Sequence, residues 1–417
     1  MNHGFGNILC SEAVPGALPK NQNSPKQPEF GLYAEQINGS AFTRARHQNL
    51  NSWVYRICPS VSHHVPFSSS KLQIMQPLLH PLPPNPMRWN PISFNTNDSK
   101  FNQNFIHVAS SGVNKHIFIF SFNQTDPLHF FSNYDGEMIF IPYEGQLKIN
   151  TEFGTLEANP GQFIVIPRGI LYQPVNQSIV VKGYALENGG IPLHLPDLGL
   201  IGANGLAHAR HFNYPNASYV NEKISCILTV KSQQTLWDKN IAHHPFNVVA
   251  WHGNYLPYQY NCKHFNSIAS VSFDHADPSI NTLLSSESEI PGISSLDFVI
   301  FPEKWHVEEH TFRLPYFHRN VMSELMGLIY GTYDAKEEGF LPGGVSIHNQ
   351  MTPHGPDMQG WLKETQSHDN PYKPTPTLAF MFESNEPWRI TCEYANHSSR
   401  QENYHDIWKN FPNKIRV

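Results

Sequence analysis

His116-Ile117-Phe118-Ile119-Phe120-Ser121-Phe122, Glu137-Met138-Ile139-Phe140-Ile141, Gln146-Leu147-Lys148-Ile149-Asn150 and Gln162-Phe163-Ile164-Val165-Ile166-Pro167 are the stretches that decide the fold. Each is short and rich in β-branched and aromatic side chains, the types that suit a pleated, partly buried surface. Turn signals at Tyr134-Asp135-Gly136, Glu144-Gly145 and Asn159-Pro160-Gly161 separate them. Short strands at this spacing predict a β-sandwich or barrel.

Outward from this block, residues 223–231 form a further strand candidate, and a second β-rich region runs over 265–382. Residues 366–377 read as a surface loop before a strand at 378–383, and 401–409 as a short helix. Upstream, Pro15, Pro19, Pro25 and Pro28, then Pro81-Leu82-Pro83-Pro84-Asn85-Pro86, break the first 100 residues into extended chain and turns. That arm has too little periodicity to fold alone, so it is expected to lie across a body built by later residues. The glycine-rich stretch at 196–205 lacks the Gly-x-x-x-x-Gly-Lys pattern of a phosphate cradle and reads as a structural loop.

Composition narrows the function. The 417 residues are 40% hydrophobic and carry a net charge of −6. No long run of Lys or Arg occurs, which argues against a nucleic-acid-binding face. No apolar run approaches the ~18 residues that span a bilayer. The first residues show neither a basic head nor an apolar core, so no secretory leader is expected. Five scattered cysteines without a Cys-x-x-Cys pair fit reduced thiols in the cytoplasm rather than a disulfide framework. The 34 prolines favour a loop-rich β protein, and the 24 histidines weaken any argument from a single one.

Two imidazoles and a carboxylate, His318, Glu324 and His354, have the ligand types of a non-haem Fe(II) triad, which leaves one side of the metal open. His318 and Glu324 are six residues apart. On one strand they would share a face; on a helix they would diverge by ~120°. The run Leu325-Met326-Gly327-Leu328-Ile329-Tyr330 continues as a buried strand, so two ligands are expected from one hairpin and the third from the next element. In a histidine-rich chain His-x₅-Glu alone is a weak pattern. Its neighbourhood strengthens it: His306, His310, His348, Tyr316, Tyr333 and Arg313 suit a pocket for an anionic aromatic substrate better than a core.

Gly161-x₅-Pro167-x-Gly169-x₂-Tyr172 resembles the second motif of the cupin jelly rolls, with Tyr172 where metal-binding members have His. The matching His-x-His pair is absent near Asn133-Tyr134-Asp135-Gly136. This half is therefore read as a barrel without its metal, with Glu137 and Tyr172 as candidate pocket residues.

A closer resemblance covers nearly the whole chain, in order. Residues 312–327, containing Arg313-Leu314-Pro315-Tyr316-Phe317-His318-Arg319-Asn320-Val321-Met322-Ser323-Glu324, resemble the metal-binding segment of the homogentisate 1,2-dioxygenases. So does 339–357, containing His348-Asn349-Gln350-Met351-Thr352-Pro353-His354-Gly355-Pro356-Asp357. Pro15-Gly16-Ala17-Leu18-Pro19, Gly31-Leu32-Tyr33-Ala34-Glu35-Gln36, Ser52-Trp53-Val54-Tyr55-Arg56, Trp251-His252-Gly253-Asn254-Tyr255 and Phe273-Asp274-His275-Ala276-Asp277 are similar to the same family. Leu314, Phe317, Tyr330 and Thr332 depart from its usual Pro, Tyr, Arg and His.

The resemblance implies a mainly β fold of cupin-like jelly-roll barrels in two domains with few short helices. Residues 1–265 would form the degenerate barrel and its extended arm, and 266–417 the catalytic domain. It implies Fe(II) on His318, Glu324 and His354, with His275 as the acid/base. Tyr333, His348 and His354 would meet the substrate, and Arg313 and Tyr316 would orient the first ligand or close the pocket. The implied reaction opens the homogentisate ring with O₂ and puts both oxygen atoms into maleylacetoacetate, in tyrosine and phenylalanine breakdown. The implied assembly is a hexamer of two stacked trimers. The four departures keep gentisate open as an alternative substrate. A non-catalytic cupin binder and a metal-dependent isomerase or hydrolase remain rival readings.

Overall fold

The computed structural model describes residues 2–5, 8–62, 65–94, 99–197, 205–268, 273, 280–336 and 339–413. The chain is mainly β, and the described residues hold only two α-helices, Met358–Thr365 and Cys392–Ala395. Its strands build three large sheets. A nine-stranded sheet places Gln162–Ile166, Glu137–Glu144, Val181–Asn188, Lys115–Phe122 and Phe105–Ser111 side by side. A seven-stranded sheet runs Gly154–Ala158, Leu147–Thr151, Tyr172–Asn176, His129–Asn133, Cys226–Ser232, Thr235–Ile241, Ser68–Ser69. From His129 to Asn188 the chain passes repeatedly between these two sheets, the jelly-roll pattern expected from the sequence.

A six-stranded sheet carries the C-terminal residues, in the order Thr282–Glu287, Ser294–Pro302, Thr377–Ser384, Ser323–Gly331, Val345–His348, Met87–Trp89. It packs on the outer face of the nine-stranded sheet: Phe163 meets Phe298 edge-on at 5.1 Å, and Tyr184 meets Phe380 at 4.9 Å. The Tyr184 hydroxyl donates toward the carbonyls of Leu328 and Gly344 at 3.1 and 2.8 Å. Gly327 lets these layers close, because a Cβ there would stand 2.4 Å from the Phe380 ring.

Layering explains the texture of the sequence. Lys115–Phe122 and Thr377–Ser384 are buried at every residue, being covered on both faces. Such strands read as continuous apolar runs. Leu147–Thr151 and Gly154–Ala158 have one face toward solvent and alternate in burial. The proline-rich arm lies across the body as expected. Leu9–Glu12, Tyr33–Asn38 and Asn51–Arg56 form a four-stranded sheet with Val248–Gly253. Met87–Trp89 from the arm edges the C-terminal sheet, and Trp388–Ile390 from the C-terminal part edges the nine-stranded sheet.

Candidate metal centre

His318, Glu324 and His354 converge: one potential donor atom from each lies within 4.8 Å of the others. Glu324 is the second residue of strand Ser323–Gly331, but His318 is not on that strand, contrary to the hairpin expectation. Instead His318 and His354 face each other in an isolated antiparallel bridge. His318 N–H donates to the His354 carbonyl at 2.9 Å and His354 N–H returns to the His318 carbonyl at 3.1 Å. The even spacing suggested one strand; the turn at Asn320–Met322 broke it. Met351 sits at φ 59°, and its N–H donates to the Asn320 carbonyl at 2.7 Å, tying the two histidine-bearing loops together.

Each imidazole is oriented by its own chain. His318 Nδ1 lies 2.7 Å from the Tyr316 carbonyl, and His354 Nδ1 lies 2.8 Å from the Thr352 carbonyl. A carbonyl only accepts, so Nδ1 carries a proton in each ring and Nε2 is the atom left to face Glu324. The Nε2 atoms stand 3.5 and 2.8 Å from the two Glu324 oxygens. Burial alone would raise the Glu324 pKa, but its hydrogen bonds with the two histidines win and hold the carboxyl well below the usual range. Burial opposes charge on His318 as well, yet Glu324 and the Tyr316 carbonyl raise its pKa. A metal ion taking the place of the Nε2 protons would meet two imidazole nitrogens and an ionised carboxylate, a donor set that fits a divalent transition metal.

The cleft beside these groups, about 690 Å³, is lined by Phe317, His318, Arg319, Pro353, His354, Trp408 and Phe411. His318 stands on its open side with a side chain 30% exposed, against 6% for His354. Behind His354 lies His348, fully buried and stacked on it at 4.3 Å and 8°. Burial, then the neighbouring Lys336 ammonium, lower the His348 pKa well below its ordinary value, so its ring is neutral. His348 Nε2 lies 3.1 Å from the Tyr404 hydroxyl and 3.4 Å from Lys336 Nζ. Burial, then Arg88, push Lys336 down to about 7.

The other expected residues fall in different places. Tyr333 is buried, with its ring against Phe301 and Phe340. Tyr316 orients His318 through its carbonyl, while its residue is 49% exposed. Arg313 neither reaches His318 nor lines the cleft. Its guanidinium donates to the carbonyls of Glu308, Asn370 and Asp369 at 2.9, 2.8 and 3.1 Å, which braces the loop. His275 lies outside the described residues. In the first barrel Glu137 accepts from Asn188 and Leu193 at 2.8 and 2.7 Å, a structural role, whereas Tyr172 lines a cavity.

Sequence reading missed several neighbours. Asn320 Nδ2 donates to Glu383 at 2.8 Å and reaches Glu324 at 3.3 Å. Burial, then Glu324 and Asp297, raise Glu383 to about 8. Tyr404, Trp408 and Phe411 come from the tail, where the expected helix is the 3₁₀ turn Tyr404–Trp408. Asn320 was legible only as part of the matched segment. No local pattern announced that the tail folds back.

The family model for the homogentisate 1,2-dioxygenase N-terminal region matches residues 1–262, and that for the C-terminal region matches 263–415. A homogentisate 1,2-dioxygenase of Legionella pneumophila is 52% identical over 411 residues, covering 98% of each chain. One from Nitrobacter hamburgensis is 45% identical over 416 residues, covering 97% of this chain and 92% of that one. Among solved structures, a cupin-2 domain protein from Shewanella frigidimarina aligns with 23% of this chain and 84% of its own, at 19% identity and a TM-score of 0.18. The chain belongs to the homogentisate 1,2-dioxygenase family.

Proposed function

We propose that this chain opens the homogentisate ring with O₂ at Fe(II) held by His318, Glu324 and His354, giving maleylacetoacetate. The observation that carries the reading is the orientation of both histidines, whose Nδ1–H bonds to backbone carbonyls turn two Nε2 atoms toward one carboxylate. Bound there, ferrous iron supplies a Lewis-acidic, redox-active centre with one side open to the cleft.

The chain's own residues do the rest. Glu324 stays ionised near neutral pH and, with two neutral imidazoles, leaves the centre near +1, which favours a phenolate. Neutral His348, stacked on His354, limits how that ring can turn. Phe317, Trp408 and Phe411 offer apolar walls to an aromatic ring, and Arg319 offers a cation to its acetate group. Tyr333 and His348 are assigned hydrogen bonds to substrate from the buried side, and His275 the removal of the hydroxyl proton; both assignments rest on the sequence resemblance. A cytoplasmic hexamer of two stacked trimers completes the reading.

The test is O₂ uptake by purified protein given Fe(II) and ascorbate, with homogentisate and gentisate side by side. Homogentisate should yield a product absorbing in the near ultraviolet. Absence of turnover with either substrate would sink the proposal. His354→Ala should lose both iron retention and O₂ uptake, and full activity in that variant would rule out the triad.

A further inference from the structure

We propose that the first jelly roll contains a second small-molecule site, for a neutral molecule with an apolar body and one hydroxyl group. The site is a cavity of about 50 Å³ walled by Phe101, Phe131 and Tyr172, with Asn133, Glu187 and Lys231 among its polar lining. Tyr172, the last residue of the motif that resembles the cupin pattern, is part of its wall. Tyr172, in the position of a ligand histidine, pairs directly with Phe131 across the ladder. Asn133 follows two residues along the same strand, so it shares that face. Its amide nitrogen contacts Met138 Sδ at 3.1 Å and donates to Glu187 at 2.8 Å. Tyr172 and Asn133 leave this space unfilled.

Chemistry sets the class of occupant. A buried water needs roughly 10–15 Å³ of such space and a benzene-sized ring about 150 Å³, so the cavity takes the equivalent of a few waters or one small alcohol. Lys231 Nζ stands 2.8 Å from both Asp135 Oδ2 and Glu187 Oε1. One ammonium faces two carboxylates, so an anion would enter against net negative charge. An ammonium has three N–H bonds, and two are spent on these carboxylates. The third suits a hydroxyl oxygen, and the aromatic wall suits the apolar body. This cavity shares no lining residue with the metal-centre cleft.

Ethanol is the probe, added to the full-length, iron-loaded protein held anaerobically with saturating homogentisate, so that the catalytic cleft is occupied. The readout is the ¹³C-labelled ε-methyl resonance of Met138, assigned with Met138→Leu. Ethanol should shift it saturably, and acetate, similar in size but anionic, should not. Ile74→Trp at the cavity lining should weaken ethanol binding at least tenfold while homogentisate turnover stays unchanged; Leu72→Trp serves where that variant does not fold. A Met138 resonance that stays in place at every ethanol concentration the fold tolerates overturns the site. So does an equal shift with acetate, or undiminished binding in the folded tryptophan variant.

Discussion

Gly355 shows how tightly the ligand loops are fitted. A Cβ there would lie 2.7 Å from the Phe317 ring and 3.0 Å from its Cα, which is backbone and cannot simply rotate away. Phe317 precedes His318, so Gly355→Ala should displace that ligand; about a 10²-fold fall in kcat/KM is expected, misplacement of ~1 Å being enough. Parallel measurement of kcat/KM and bound iron checks this, and wild-type values for both would contradict it. His107 makes a second residue-scale case. It is 1% exposed, accepts from Gln76 N–H through Nδ1 and pairs with Ser110 through Nε2. Burial, against a smaller pull from the Ala109 backbone, lowers its pKa from 6.5 to about 4. The unfolded chain therefore takes up a proton in that window that the folded chain refuses. The ring's contribution is complete above pH 6.5 and fades as pH falls toward 4, by on the order of 3 kcal/mol. His107→Gln should flatten the fall of the urea midpoint between pH 6.5 and 4; an unchanged slope would remove His107 from the account.

At the scale of the element, helix Met358–Thr365 follows the His354 loop directly. Its N-cap, Asp357, accepts from Gly360 N–H at 2.7 Å, and Asp357 N–H donates to the Ala335 carbonyl at 3.2 Å. Asp357→Ala should lower unfolding free energy by about 1 kcal/mol. A larger loss in iron affinity than in stability would show that the cap also holds the ligand loop. Denaturant titration beside an iron-binding isotherm separates the two. Strand Ser323–Gly331 acts differently. It sets Glu324 opposite His348 on one neighbour and Glu383 on the other, so the Glu324 carboxylate is positioned by cross-strand register.

Across the whole molecule, the six-stranded C-terminal sheet and the N-terminal part exchange edge strands, and one continuous apolar core includes residues of both. Residues 266–417 expressed alone would lack Met87–Trp89 and leave Phe298 and Phe380 without Phe163 and Tyr184. That fragment should show no cooperative unfolding transition, whereas the full chain should unfold with both parts coupled. A stable, cooperatively folded fragment would contradict the shared core.

The amino-acid sequence determined the strands, their turns and the chemistry of the ligands. Local β propensity and turn residues are short-range properties, which is why Gln162–Ile166 and Lys115–Phe122 were each legible to within one residue. His318, Glu324 and His354 were legible as residue types, but spacing could not bring them together, because His318 and Glu324 do not share a strand. Only the tertiary structure decided that His318 pairs with His354, that Arg313 braces a loop, and that Trp408 and Phe411 wall the cleft. These contacts join residues distant in sequence through backbone bridges and packed faces, and no periodicity within one element encodes which distant face it will meet.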